Sequence, residues 1–370
     1  MRLVIDGQRL TAGRTGVGRC LESLLAEWAI DGLPLPETLI LLRDPSGLER
    51  IPKVSGLTAK VIGSSWPGLI WETWGLAREL RPDDVLFAPA NLVPFPWRGK
   101  TVLVIYDTLP WVVPESFPWH VRWRFGWRYR AAARRATRIL VPSQSTAADV
   151  RRVHHVPADR LRVIYLSPEP EFRPLAPDSN ELVNARAWVG LDASPFFLFV
   201  GKRSRRRNIP AILAGFAAHR AAHPSHRLVF AGPDDPGVLP GPDTGVIRAG
   251  HVPEAVLRGL LGGAVALLYP SDYEGFGLPV VEAMASGCPV ITLRTSALTE
   301  AGGEAPWYLD TPTPEAIAQA MSVLFHDASV RSRHVAQGLN HVAQFSRTRY
   351  ANEVKEELRT IAQIGTMIQS

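Results

Sequence analysis

Two carboxylates eight positions apart, Glu274 and Glu282, lie in the segment that carries most of the chemistry in this chain. The segment reads PSDYEGFGLPVVEAMASG from Pro270 to Gly287, and it follows an apolar run and leads into a helical pattern. Pro279 suits the first turn of that helix, where a missing N–H costs nothing. Gly275 and Gly277 let the main chain come close to a ligand. The N–H groups of residues 278–281 are expected to be unpaired there, and such a helix start binds phosphate. An open parallel sheet gathers its ligands at the same edge. A carboxylate accepts from two hydroxyls, which suits a polyol. Each acid also has a plain reading: Glu282 as a solvated side chain favoured by the helix dipole, worth about 0.3–1 kcal/mol, and Glu274 as a turn residue.

A second constellation precedes it. Five of the six residues 202–207 are basic, namely Lys202, Arg203, Arg205, Arg206 and Arg207, directly after the run FFLFV and Gly201. A solvated basic turn is the plain alternative. Charge-assisted hydrogen bonds contribute about 1.5–3 kcal/mol each, against about 0.3–2 kcal/mol for a helix start. The arginines should therefore do more than the dipole to hold a phosphate group. Loss of one such preorganised donor commonly costs about 10²–10³ in rate. The chain contains no Asp-x-Asp and no CxxC, and its only cysteines are Cys20 and Cys288. No metal and no cofactor are expected.

These residues need a frame. Short β-rich runs alternate with helical stretches, the pattern of a parallel sheet covered by helices. Strands are expected at 3–5, 38–42, 59–62, 85–87, 101–105, 139–141 and 162–164. After a Pro-rich stretch with a short helix at 180–188, a second series follows at 196–200, 227–231, 246–248, 265–269 and 289–292. Helices are expected at 208–222, 253–261, 279–286, 314–326 and 347–366, with a turn at 232–237. Residues 119–139 read as one helix, with Val121, Phe125, Ala132, Ala136 and Ile139 on a core face. Trp119, Trp123, Trp127, Arg130 and Arg134 lie on roughly the opposite face. Aromatic and basic residues on an outer face suit an anionic membrane surface or a lipid-phosphate acceptor. The alternative packs this tryptophan stripe under residues 66–74.

The 270–287 segment resembles the E-x7-E signature of the retaining GT-B glycosyltransferases of family 4. Gly201–Ile209 is similar to that family's glycine and basic cluster, 250–254 (GHVPE) to its G-x-V-P-E step, 296–300 (SALTE) to its S-A-L-P-E loop, and 15–19 (TGVGR) to its glycine-rich first loop. The resemblance implies an α/β GT-B fold, two Rossmann-like lobes with parallel sheets facing across a deep cleft. Residues 1–171 would form the acceptor-side lobe, with the helix at 347–370 packing back on it, and 172–346 the donor lobe. It implies that Glu274 holds the donor sugar and Glu282 the ribose. Arg206 and Arg207 would clamp the diphosphate, beside Gly201 and Lys202. Amides of Gly275, Phe276, Gly277, Leu278, Pro279 and Val280 would line the sugar and phosphate, and Gly16 and Gly18 would approach the phosphate from the other lobe. The family usually has Lys where Arg207 stands. Asp107 would lie near the reaction centre or cap its turn. Tyr106 stands where the family often has His, and Tyr is a poor base near neutral pH.

The implied activity is retaining, metal-independent transfer of a hexose from GDP-mannose or a UDP-sugar to a saccharide or lipid-linked saccharide in surface polysaccharide synthesis. A nucleotide-sugar epimerase and a non-catalytic nucleotide-sugar-binding homologue are the alternatives. A formal charge of +6 favours anionic partners, but no nucleic-acid motif is present. Residues 1–10 lack an export pattern and no run of about 18 apolar residues occurs. The expected location is cytoplasmic, with peripheral contact at the inner face of the cytoplasmic membrane.

Overall fold

The structure is a computed structural model that describes residues 1–364 other than 12, 14, 64, 91 and 234–243. Most of the turn expected at 232–237 and the last residues of the C-terminal stretch lie outside the described residues. The chain divides into two compact units, Met1–Leu166 with Ser346–Ser370, and Ser167–Phe345.

The first unit holds strands β1 (Leu3–Asp6), β2 (Thr38–Leu42), β3 (Leu57–Val61), β4 (Val85–Ala88), β5 (Lys100–Val104), β6 (Arg138–Val141) and β7 (Leu161–Val163). The second holds β8 (Phe196–Val200), β9 (Arg227–Ala231), β10 (Val246–Gly250), β11 (Leu267–Tyr269), β12 (Val290–Leu293) and β13 (Trp307–Leu309). The helices are α1 (Gly16–Asp31), α2 (Gly68–Ile70), α3 (Leu76–Glu79), α4 (Leu109–Val112), α5 (Trp119–Arg135), α6 (Gln144–His154), α7 (Asn180–Trp188), α8 (Ile209–Ala222), α9 (Glu254–Gly263), α10 (Leu278–Ala285), α11 (Leu298–Gly302), α12 (Pro314–His326), α13 (Ala328–Val342) and α14 (Arg347–Gln363).

Every strand pair is parallel. The orders are β3-β2-β1-β4-β5-β6-β7 and β10-β9-β8-β11-β12-β13. Both are Rossmann-like, with the order reversing beside β1 and β8 respectively. Parallel strands covered on both faces need apolar side chains on both, which explains the unbroken runs LVID and FFLFV. Along β8, Phe196 and Leu198 join the core under α7, α9 and α10, while Phe197 and Phe199 join the core under α8 and α12. In the first unit α14 packs on α1, β4 and β5, and Trp28 donates from Nε1 to the Ala351 carbonyl at 3.1 Å.

Several expectations are corrected. The helix beginning at Trp119 stops at Arg135: Ala136 turns to extended geometry, and Thr137 donates its amide to Thr101, so Ile139 belongs to β6. Ala132, Ala136 and Ile139 are buried; the side chains of Val121 and Phe125 lie outside the described ones. The tryptophan stripe is not packed under another segment, because Trp119, Trp123 and Trp127 are 76%, 72% and 53% exposed. Strand β13 and helix α13 were not anticipated. The first has three residues and the second buries only Gly338, so neither carries a strong apolar period.

Candidate functional site

The order reversal of the second sheet lies between β8 and β11, so the loops leaving their carboxyl ends meet where such sheets bind ligands. The β8 loop carries residues 201–208 and the β11 loop residues 270–277. They are tied together by main-chain and side-chain bonds. The Asp272 amide donates to the Arg206 carbonyl at 2.8 Å. Asn208, in the left-handed region at φ 51°, donates from Nδ2 to the Pro270 carbonyl and to Asp272 Oδ1. A third loop, after β12, joins through Thr295, whose hydroxyl donates to the Ser271 carbonyl, and through Ser296, whose hydroxyl accepts from the Glu274 amide at 2.9 Å.

At the centre lies the Glu274 carboxylate, 8% exposed. Its Oε1 accepts from Arg206 Nη1, from Arg207 Nε at 3.2 Å, from the Tyr269 hydroxyl at 2.7 Å and from the Ser271 hydroxyl at 3.1 Å. Its Oε2 has no partner among the described residues. Burial pushes the carboxyl upward, but Arg207 and Arg206 outweigh it and hold the group below the usual carboxylate range. Glu274 is therefore ionised at neutral pH.

The two arginines are used differently. All three nitrogens of Arg207 are engaged: Nε with Glu274, Nη1 with the Lys202 carbonyl at 2.9 Å, and Nη2 with the Tyr269 hydroxyl at 2.8 Å. Its charge also lies 5.0 Å from the Tyr269 ring centre. Arg206 spends only Nη1, on Glu274, Ser271 and the Tyr273 carbonyl; its Nε and Nη2 have no partner among the described residues. Gly201, at φ 115°, makes room for this arrangement, since a Cβ there would overlap Arg207 Nη1. Lys202 is exposed.

The helix start needs a correction. Gly277 caps α10 at φ 107°, and its carbonyl accepts from both Val280 and Val281. With Pro279 lacking an N–H, the amides at this helix start without a partner among the described residues are those of Gly277 and Leu278, not the whole run 278–281. Phe276 is buried and meets Phe345 edge to face at 5.5 Å between ring centres. Glu282 is 2% exposed, which overturns its reading as a solvated acid. A buried carboxylate is tolerated only with compensating partners.

In the first unit, Thr15 caps α1 by accepting the Gly18 amide at 3.1 Å. Gly16 opens the helix with free space around it, whereas a Cβ at Gly18 would lie 2.6 Å from the Arg9 carbonyl. Asp107 Oδ1 accepts from the Leu109 amide at 3.1 Å, the turn-capping role. Tyr106 hydrogen-bonds with Tyr350 and Cys20, and burial pushes its phenol well above the ordinary value. It is no base at neutral pH. The sequence reading missed Tyr269, Ser271 and Ser296 as partners of Glu274. The one available signal was a polar tyrosine closing an otherwise aliphatic strand.

Residues 16–167 match the family described as Glycosyltransferase Family 4, and residues 194–327 the one described as Glycosyl transferases group 1. The chain is 31% identical over 259 residues to the O-antigen chain mannosyltransferase B of Escherichia coli, covering 67% of each protein. It is 25% identical over 338 residues to the serotype-specific mannosyltransferase WbdA of Escherichia coli, covering 83% of this chain but 40% of that one. Among solved structures it is similar to Anabaena HepE in complex with UDP and glucose, with a TM-score of 0.73 and 17% identity over 97% of this chain and 99% of the other. That last likeness is one of fold.

Proposed function

Since the chain belongs to the group 1, family 4 glycosyltransferases and shares their GT-B fold, we propose that it transfers a hexose with retention from GDP-mannose or a UDP-sugar to a saccharide or lipid-linked saccharide in surface polysaccharide synthesis. Family membership favours glycosyl transfer over the epimerase and the non-catalytic alternatives. The mannosyltransferase names of its relatives favour GDP-mannose as the first donor to try.

The observation that carries this reading is the Glu274 carboxylate, fixed through Oε1 with Oε2 to spare. A pre-fixed acceptor aimed at sugar hydroxyls needs no reorganisation during reaction. Arg206, with Nε and Nη2 unspent, and the Gly277 and Leu278 amides meet the diphosphate as charge develops. Arg207 positions Glu274, and Glu282 holds the ribose. The bond from the anomeric carbon to phosphate breaks while the bond to the acceptor oxygen forms on the same face, and the acceptor proton passes to the leaving phosphate. No metal is required, in keeping with the missing Asp-x-Asp. The exposed face of α5, with Trp119, Trp123, Trp127, Arg130 and Arg134, supports peripheral contact with an anionic membrane on the cytoplasmic side.

The test is transfer from GDP-mannose and UDP-glucose to saccharide acceptors, with the product anomer read by NMR. We expect an unchanged anomer, no loss with EDTA, and at least a 100-fold fall in kcat/KM for Glu274→Gln with nucleoside diphosphate binding retained. Wild-type turnover by that variant would remove Glu274 from the site.

A further inference from the structure

Trp123 and Trp127 of α5 line two grooves at once. One, enclosing about 570 Å³, is walled by Ile70, Trp74, Val93 and Phe95. The other, also about 570 Å³, is walled by Trp111, Arg122, Arg130, Arg134 and Arg135. Both volumes fall in the range of small-molecule sites. The two share Arg135 as well as the tryptophans. Among the described residues no carboxylate lines either groove.

The cations of the second groove are not answered from within. Arg128, on the same helix, pairs with Glu72 at 3.1 Å. In contrast, the side chains of Arg122 and Arg134 make no hydrogen bond or ion pair among the described residues. Arg130 makes one bond, to the Val153 carbonyl at 3.1 Å. Arg135 lies over the Phe95 ring at 4.5 Å and donates to the Phe95 carbonyl, so it joins the cationic groove to the apolar one. Like charges gathered without a counter-ion repel one another and are relieved by an anion. Exposed indoles beside an apolar groove are relieved by a hydrocarbon. A free phosphate would answer only the first demand and an uncharged hydrocarbon only the second.

We propose that the two grooves form one site for a single amphiphile, a phosphate or diphosphate ester of a long hydrocarbon chain. Its phosphate or diphosphate lies by Arg130 and Arg134, one turn apart on α5, with Arg122 adding charge at the far end of the same groove, and its tail runs past Trp123 and Trp127 between Ile70, Trp74 and Phe95. This rests on the reading of the acceptor as lipid-linked and specifies which part of the chain holds the carrier.

The probe is farnesyl diphosphate, kept below its micelle-forming concentration and titrated calorimetrically into the full chain. Binding at least tenfold tighter than that of inorganic diphosphate or farnesol is expected. R122E/R134E and W123S/W127S should each weaken it at least tenfold. These four side chains are exposed, so melting midpoints should stay close to wild type. Farnesyl diphosphate binding no tighter than inorganic diphosphate would overturn the proposal. So would loss of binding in Arg207→Ala but not in R122E/R134E, which would place the diphosphate in the second unit. Adsorption to phosphatidylglycerol vesicles without binding of the monomeric probe would assign the face to bulk bilayer and likewise overturn it. Thermal stabilisation by GDP and UDP, measured on the same preparation, reports on the donor site separately. Failure of the probe with that stabilisation intact rejects only the carrier site.

Discussion

At the residue scale, the arrangement around Glu274 separates two tasks that the sequence lumps together. Every nitrogen of Arg207 is bonded, to Glu274, Tyr269 and the Lys202 carbonyl, whereas Arg206 keeps Nε and Nη2 in reserve. Lys at position 207, as the family usually has, would retain the charge but not three donors fixed in a plane. Gly201 is what allows Arg207 to lie back over the end of β8. Replacing it by Ala forces a side chain into φ 115° and displaces the guanidinium. We expect Gly201→Ala to cost about 1–3 kcal/mol of stability, read by denaturant titration, and to lower kcat/KM at least tenfold. Unchanged stability and rate would show that Arg207 does not depend on this glycine.

Among the elements, α14 is the one whose placement most affects the first unit. It returns after the second unit to cover α1, β4 and β5, with Leu358 and Ile361 buried. Lys355 donates from Nζ to the Asp31 carbonyl at 2.7 Å. Tyr350 joins Tyr106 and Cys20 in a buried hydrogen-bonded group, which links α14, the end of β5 and α1. This gives Tyr106 a positioning role where a base was in question. Tyr106→Phe should lose about 0.5–1.5 kcal/mol of stability and leave the pH profile of transfer unaltered. A shift of the profile's acidic or basic limb in that variant would show that the phenol exchanges protons during the reaction.

For the whole molecule, acid sensitivity should come from buried histidines. In the second unit His219 bonds Ser322 Oγ and His226 Nδ1, each at 2.9 Å, with His223 and His326 against the same cluster. Burial, and then the neighbouring His223, His226 and His326, lower His219 to about 4, and His226 moves the same way. In the first unit burial, with Arg130 and His155, brings His154 to about 4. The fold thus accommodates the neutral rings. Their contribution is complete above the unfolded value near 6.5 and is lost as pH falls toward about 4. Asp6 works in the opposite sense: burial raises it to about 7, so its contribution is complete below the unfolded value near 3.9, is lost as pH rises toward 7, and offsets part of the histidine loss over the same window. The melting temperature should fall steadily from pH 6.5 to 4.5, and less steeply in His219→Asn. An equal slope in wild type and His219→Asn over that window would contradict the neutral cluster.

Much of this was legible from order along the chain. Short apolar runs bounded by turn residues suit strands buried on both faces, and 38–42, 196–200 and 227–231 coincide with β2, β8 and β9, while Pro279 after Gly277 marked the start of α10. The ends of weakly apolar elements were not legible, because local period says nothing about which neighbour a residue such as Leu57 or Ile139 will pair with. In the site, residue types and spacing pointed to Glu274 and to the basic cluster 202–207 with the loops that carry them, and the family resemblance narrowed the cluster to Arg206 and Arg207. Only the tertiary structure decided that Tyr269, Ser271 and Ser296 close around that acid, that Arg206 rather than Arg207 keeps whole nitrogens unbonded, and that the α5 tryptophans stand in solvent. The contacts of Ser296 and the two arginines with Glu274 span loops more than twenty residues apart, and those distances are set by the parallel sheet and not displayed by the sequence; Tyr269 and Ser271 are near in sequence, but only the turn geometry aims them at the acid.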